Sequence, residues 1–280
     1  MSWLHLIVVS ATGVAAMRAA FEHGDLDAAA RQGMLAGPAV VEQALGSPDR
    51  MTRLAAIAAA PIVEDRAELL DALARVAGGA DRRTAIPAAG AARAIARELA
   101  GHDRPDDLAE DDLATWREAW AALAMRGDRW IELRILALDT AAALDLTGIH
   151  AGAGVDLAAA LRDPDPAFRR AAATIVPLPA AATTYAALAG AVVHDRDPDV
   201  ALGAAQSLCL SVDPTRSDPA ARPILDALGA AGLTRLRALV TSDRPALPSA
   251  IRDAARCLAA DGSAESAAAL RALRSARGAR

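Results

Sequence analysis

The chain has 280 residues, of which 54% are hydrophobic but only 2% aromatic. This length exceeds the size at which one compact core stops growing, and so few bulky side chains would not fill a large single core. All 30 basic residues are arginine and the net charge is −5, which disfavours a protein built on contacts with nucleic-acid phosphates.

The N-terminal stretch, residues 2–17, reads "SWLHLIVVSATGVAAM" and carries no formal charge. It is interpreted either as a buried first helix, which we favour, or as an export signal that lacks the positive residues expected before the apolar stretch. Ser10, Thr12 and Gly13 weaken a membrane span, so no transmembrane span is predicted in the mature chain. We predict an N-terminal helical segment over residues 1–35 and a cytoplasmic protein, with an exported or periplasmic one as the alternative.

A motif then recurs along the chain: "SPDRMTRLAAIAAA" from Ser47, "DPDPAFRRAAATIV" from Asp163 and "DRDPDVALGAAQSL" from Asp195. An aspartate stands two residues after the start of each copy, and a residue that can face inward stands five residues after the same start. Including weaker copies, the inward positions are Thr52, Thr84, Leu133, Phe168, Val200 and Ile251. Their spacings of 32, 49, 35, 32 and 51 residues are typical of stacked helical hairpins with inserted loops.

Each motif is preceded by an apolar run with helical spacing. These runs begin at Ala39, Leu69, Trp116, Val155, Tyr185 and Thr234. The aspartate of the motif is expected to cap the second helix of a hairpin, and the proline that follows in two copies suits its first position. The sequence therefore predicts an all-α, α-α superhelix of about six hairpins over residues 36–262, with a C-terminal helix and arginine-rich tail over residues 263–280.

The segments "DPDPAFRRAAA", "DRDPDVALGAA" and "IRDAARCLA" resemble the HEAT-repeat family, including the HEAT-like repeats of bacterial proteins grouped with phycobilisome lyases. The resemblance implies a solenoid fold and no particular activity. It also implies a ladder of charged side chains between neighbouring repeats, formed by Asp49, Arg53, Arg134, Asp165, Arg169, Asp197 and Arg252. Ala85 and Ala201 stand where arginine belongs, so the ladder is expected to be interrupted.

Two sets of residues are candidates for a special role. Trp116 and Trp120 lie four apart on one helical face and Trp130 follows, so these rings either anchor a partner or, as we favour, fill the core. Cys209 and Cys257 fall in the second helices of the last two repeats. We interpret them as buried small hydrophobic residues, with a disulfide as the alternative in an exported protein.

Other polar segments receive structural interpretations. Asp107 and Glu110 fit a capping box better than a calcium site, because the glycine of a calcium loop is missing. His102-Asp103 and His194-Asp195 are the nearest approach to the His-Glu pairs of iron hydroxylases built from HEAT repeats, and loop solvation or capping is favoured for both. The four C-terminal arginines are assigned to a helix end in preference to a lipid or nucleic-acid contact: Arg271, Arg274, Arg277 and Arg280.

These observations predict a non-catalytic scaffold or adaptor whose partner is another protein, with no catalytic residue, cofactor or metal ion. A HEAT-like enzyme is the alternative. A relative of DNA glycosylases would need Arg82, Arg83, Arg93 and Arg97 to converge on one face. A relative of chromophore lyases would need a pocket with a convergent acid or cysteine. An exported structural protein of the cell envelope is the remaining alternative.

Overall fold

The structure is a computed structural model that describes residues 3–101, 109–148, 155–175, 182–213, 221–242 and 248–278. Within these ranges the chain forms α-helices, two 3₁₀ helices and turns, and no β-strand. The α-helices are α1 Trp3–Glu22, α2 Leu26–Ala36, α3 Pro38–Leu45, α4 Arg50–Ala59, α5 Leu69–Ala77, α6 Arg82–Gly101, α7 Glu110–Ala124, α8 Ile131–Gly148, α9 Leu157–Ala160, α10 Pro166–Thr174, α11 Ala182–His194, α12 Pro198–Cys209, α13 Ala221–Val240, α14 Pro248–Asp261 and α15 Ala264–Gly278. The 3₁₀ helices are Ala60–Ile62 and Arg66–Glu68.

The chain divides into two compact units, Met1–Val155 and Asp156–Arg280. In the first unit, α1 packs against α2 and α4, ahead of three hairpins: α3 with α4, α5 with α6, and α7 with α8. The first helices of the hairpins contact one another in the order α3, α5, α7, and the second helices do so in the order α4, α6, α8. This gives the two helical layers that stacked hairpins form.

The second unit repeats the same plan with α9 and α10, α11 and α12, and α13 and α14, followed by α15 against α14. First helices again contact first helices, through α9, α11 and α13, and second helices contact second helices, through α10, α12 and α14. The α13 helix is interrupted at Gly229, whose φ of 56° lies in the left-handed region that glycine tolerates. The predicted all-α fold class is confirmed, and the described helices pair into six hairpins.

The turn of the repeated motif has the predicted chemistry. The carboxylates of Asp49, Asp165 and Asp197 accept hydrogen bonds from backbone N–H groups in the first turns of α4, α10 and α12. Helices α10 and α12 begin at Pro166 and Pro198, where a missing N–H costs nothing. The inward residues that follow are buried: Thr52, Phe168 and Val200.

The capping box predicted from Asp107 and Glu110 falls partly outside the described residues, because Asp107 is not among them. Helix α7 begins at Glu110 and its N-cap is Ala109. Three acids in the first turn, Glu110, Asp111 and Asp112, favour this helix start by their charge. No described helix has both the length and the apolar character needed to cross a membrane.

Candidate functional site

Arg169 joins two neighbouring hairpins of the second unit. Its Nε and Nη2 donate to the carboxylate of Asp195 at 2.8 and 3.1 Å, and its Nη1 donates to the carbonyls of Asp163 and Pro164. Burial opposes ionisation of Asp195, but the bonds from Arg169 and from the N–H of Asp197, together with the arginine's charge, hold its pKa below the ordinary value of 3.8. The pair fixes the turn before α10 to the turn before α12.

The other arginines of the predicted ladder have varied partners. In the first unit, Arg53 donates to the carbonyls of Ser47 and Pro48 and approaches Asp81 of the next hairpin at 3.9 Å. Arg134 is buried and donates from Nε to the carbonyl of Ala124 in the preceding helix. Arg252 is largely exposed and lies 3.9 Å from the adjacent Asp253. Arg53 and Arg169 thus reach the next hairpin, whereas Arg134 and Arg252 have these other partners.

The aspartates assigned to the ladder serve mainly as helix caps. Asp49 also lies 3.5 Å from Arg18 of α1, and Asp197 lies 3.6 Å from Arg170. Hydrogen bonds from the side chain and backbone of Thr52 lower the pKa of Asp49. Asp165 accepts from the N–H of Ala167.

The predicted tryptophan cluster lies mostly inside the first unit. Trp120 is fully buried and Trp116 is 8% exposed, while Trp130, in the turn before α8, is half-buried. Both α7 rings face the core, where they supply bulk that alanine does not. A partner that approached this helix would therefore not meet the rings of Trp116 and Trp120.

The sequence reasoning missed a surface on the first unit. We call the α2 patch the four large apolar side chains that are exposed on α2 and the neighbouring 3₁₀ helix: Leu26, Met34, Leu35 and Ile62. Leu35 is the most exposed of them at 76%. The signal was available in α2, because its buried residues, Ala29 and Gly33, are small while Met34 and Leu35 lie off that face.

Acidic side chains lie beside the α2 patch in the chain. Asp25 and Asp27 flank Leu26, and Glu64, Asp65 and Glu68 follow Ile62, and all five are exposed. Two arginines lie among these acids, Arg31 exposed on α2 and Arg66 between Asp65 and Glu68, so the charge beside the patch is mainly, not wholly, negative. Apolar side chains bordered by mainly negative charge form a surface suited to another macromolecule, because burial supplies affinity and charge supplies selectivity.

A second concave feature lies within the second unit and was also not foreseen. This α11 cleft has a volume of about 640 Å³ and lies between α11 and the hairpin formed by α9 and α10. Its lining combines alanine, leucine and glycine with charged residues from the two turns. His194, for which the sequence favours loop solvation or capping, is exposed and lines this cleft.

The cysteines correct one expectation. Cys209 of α12 and Cys257 of α14 are fully buried, as expected, but they form a disulfide with a Cα–Cα distance of 5.4 Å. The two residues occupy equivalent second helices that contact each other, which brings their Sγ atoms within bonding distance. The chain has no further cysteine and so offers no free thiol.

The arginines that a relative of DNA glycosylases would need pair mostly with acids of α8. Arg82 pairs with Glu132 at 2.7 Å, and Arg97 and Arg93 both pair with Asp139, at 2.6 and 3.5 Å. Only Arg83 of that group has no ionic partner among the described residues. Two acids of α8 thus pair with three of the four arginines, which leaves less positive charge available to bind DNA phosphates.

Among the described residues, no group of three histidine, cysteine or acidic side chains is placed to hold a metal ion. His102, Asp103 and His150 lie outside the described residues.

No protein-family model and no curated protein matches this chain. Solved structures do match. The crystal structure of one engineered protein aligns with 96% of this chain and 72% of its own, with 20% sequence identity and a TM-score of 0.50. A second engineered protein aligns with 93% of this chain and 97% of its own, with 18% identity and a TM-score of 0.40. The first likeness supports the all-α fold and carries no function.

Proposed function

We propose that this chain is a non-catalytic HEAT-like repeat protein that serves as a scaffold or adaptor and binds another protein through the α2 patch. The observation that carries the proposal is the concentration of exposed apolar side chains. Among the described residues, four of the five large hydrophobic side chains that are exposed lie in this patch, and the fifth is Leu210. Scattered apolar residues are ordinary on a surface, but a group of them in adjoining elements indicates an interface.

The charge around the patch defines the partner. The first unit contains 22 acidic and 15 basic residues, and the exposed acids beside Leu26 and Ile62 contribute to that excess. A partner segment with an apolar stripe and basic flanks would complement this surface. A basic amphipathic helix has that pattern.

The compartment forms part of the proposal. Cytoplasmic localisation stays a prediction from the sequence. The Cys209–Cys257 disulfide supports the exported alternative, because disulfides persist in oxidising compartments and are rare in the cytosol. A mass measurement of the native protein after thiol alkylation would distinguish the two, since only reduced cysteines take up the reagent.

Co-purification from the native organism tests the interface. Tagged wild-type chain, a Met34→Glu/Leu35→Glu variant and a Leu210→Glu variant are compared, and captured proteins are identified by mass spectrometry. We expect the wild type and Leu210→Glu to retain one stoichiometric protein that the double variant loses, because the two glutamates remove apolar contacts and would have to lose their hydration against the partner's apolar stripe. The substituted side chains are all exposed, so circular dichroism should show three equally folded proteins.

The identified partner is then tested directly. Its basic apolar segment, made as a labelled peptide, should bind the wild type in a fluorescence anisotropy titration and weaken as salt is raised. Equal capture by the wild type and the double variant, or recovery of nucleic acid in place of a protein, would overturn the proposal.

A further inference from the structure

The α11 cleft has an apolar part made by two helices. Ala186, Ala187, Gly190 and Ala191 of α11 line it on one side, and Ala158 and Leu161 line it on the other. A Cβ atom added at Gly190 would meet no atom within 4 Å, so the small side chains leave open space here. A volume of about 640 Å³ lies in the range of clefts that hold small molecules.

Charged residues lie at one end of the same cleft. They come from the turns that follow the two helices: Arg162 and Asp163 after α9, and His194, Asp195 and Arg196 at and after the end of α11. The cleft is therefore apolar along the helices and polar at the turns. This separation matches a ligand that has an apolar body and one charged end.

The sign of the charge on the ligand follows from which charged groups of the cleft already have partners within the protein. Arg169 donates two hydrogen bonds to the carboxylate of Asp195, one to each oxygen. The carboxylate of Asp163 accepts a hydrogen bond from the N–H of Asp165 at 2.9 Å. Arg162 and Arg196 are exposed, and the guanidinium group of neither takes part in an ion pair or hydrogen bond with another described residue. Two guanidinium groups therefore remain to receive an anion, and planar guanidinium groups suit a carboxylate.

We propose that the α11 cleft binds a small amphiphilic carboxylate, with its apolar body along α11 between Ala187 and Leu161 and its carboxylate between Arg162 and Arg196. The α11 cleft shares no residue with the α2 patch, and its proposed ligand is a small molecule and not a protein. An experiment that overturns one of the two proposals therefore leaves the other untouched.

Octanoate serves as the probe and is titrated into the full chain in an isothermal calorimeter, beside octanol and octylamine. These three molecules share a chain length and differ in charge. We expect octanoate to bind at one site, about tenfold or more tightly than octanol, because a hydrogen bond to a charged group adds to apolar burial. Octylamine should bind more weakly than octanol, and the affinity for octanoate should fall with added salt.

Two variants test whether octanoate binds in the α11 cleft. Arg162→Ala/Arg196→Ala should weaken octanoate binding about tenfold and leave octanol binding unchanged. Gly190→Leu fills the open space and should weaken both ligands. The matched controls are Arg222→Ala, an 83% exposed arginine of the same unit, and Gly90→Leu, a helical glycine of the first unit with open space at Cβ. Both controls should bind octanoate like the wild type.

Loss of octanoate binding in the arginine pair, with octanol and both controls unchanged, supports the site. Any of three results would overturn the proposal. Octanol could bind as tightly as octanoate, the affinity for octanoate could be unchanged by the arginine substitutions, or octanoate could show no saturable binding. If Gly190→Leu does not fold, the arginine pair still decides, because Arg162 and Arg196 are exposed surface residues.

Discussion

The two units share one hairpin plan but differ in how their side chains support it. The first unit has 22 acidic and 15 basic residues and the second has 13 and 15. In the first unit, pairs of helices are joined by ion pairs: Arg66–Glu98, Arg82–Glu132, Arg97–Asp139 and Arg117–Asp145. In the second unit the second helices α12 and α14 are joined by a covalent bond between Cys209 and Cys257.

The cores differ as well. All four tryptophans of the chain lie within residues 1–155, and Trp120 fills the interior there. The second unit contains Phe168 as its largest fully buried side chain, among alanine, leucine and the two cysteines. Small side chains bury less apolar area per residue, so a cross-link that restricts the unfolded chain compensates for part of the difference. The second unit thus adds a covalent bond to the ion pairs between helices that both units contain.

The largest expected effect comes from removing the cross-link. A disulfide that closes 48 residues restricts the unfolded chain by about 4 kcal/mol in the chain-entropy estimate. A Cys209→Ala/Cys257→Ala variant should therefore lower the free energy of unfolding of the second unit by about 2–4 kcal/mol. Urea unfolding followed by far-ultraviolet circular dichroism measures the loss.

Tryptophan fluorescence tests whether this effect is confined to one unit, since every tryptophan lies in the first unit. The fluorescence midpoint should move less than the dichroism midpoint when the cysteines are replaced. Equal shifts of both midpoints would show that the units unfold together and would remove the basis of the comparison. Wild-type protein treated with a reducing agent provides the matched sample without a change of sequence.

A second prediction concerns close helix packing in the first unit. A Cβ atom at Gly33 of α2 would lie 2.3 Å from the Cβ of Ala59, closer than carbon atoms approach. Gly33→Ala should therefore destabilise the first unit by about 1–3 kcal/mol. Its counterpart in the second unit is Gly190→Ala, where nothing lies within 4 Å and helix propensity should raise stability by about 0.5–1 kcal/mol. Thermal unfolding of both variants would give opposite signs, and equal signs would contradict the packing described for α2.

The repeat explains why the fold was predictable. Proline and aspartate at the turns, followed by alanine, specify where the second helices of the hairpins begin, and α4, α10 and α12 begin there. Local chemistry does not specify which side chains on a helix stay exposed. The α2 patch and the α11 cleft depend on how neighbouring helices pack against one another, which periodicity alone does not specify. The disulfide was left open because spacing of 48 residues does not fix the distance between two sulfur atoms.

A third prediction tests the ion pair between hairpins. The side chain of Asp195 is only 6% exposed, whereas the Arg75–Glu42 pair of the first unit is more than half exposed on both sides. Asp195→Asn should cost about 1–3 kcal/mol at neutral pH, and Glu42→Gln less than about 1 kcal/mol. Urea unfolding of both variants measures the contrast, and equal losses would show that burial of the second pair adds nothing.

Acid titration gives the same pair a second readout. Because the folded-state pKa of Asp195 is lowered, its contribution is present above the ordinary value of 3.8 and is lost as pH falls through the lower folded value. The difference in stability between the wild type and Asp195→Asn should therefore be constant at mildly acidic pH and shrink below about pH 3.8. A difference that grows on acidification would contradict the lowered pKa.

The smallest expected effect comes from removing the aspartate cap that begins the second helix of a hairpin in both units. The carboxylate of Asp197 caps α12 by accepting from the N–H of Asp199 at 2.8 Å. Asp197→Ala should lower the free energy of unfolding by about 1 kcal/mol, since it leaves an N–H at the helix start without a protein acceptor. Asp49→Ala removes the matching cap of α4 and should shift stability in the same direction, measured by the fluorescence of the first unit. A loss in one unit and none in the other would mean that the turn, too, is supported differently in the two units. Asp197→Ser and Asp49→Ser, which restore a side-chain oxygen, should recover most of each loss and so separate capping from charge.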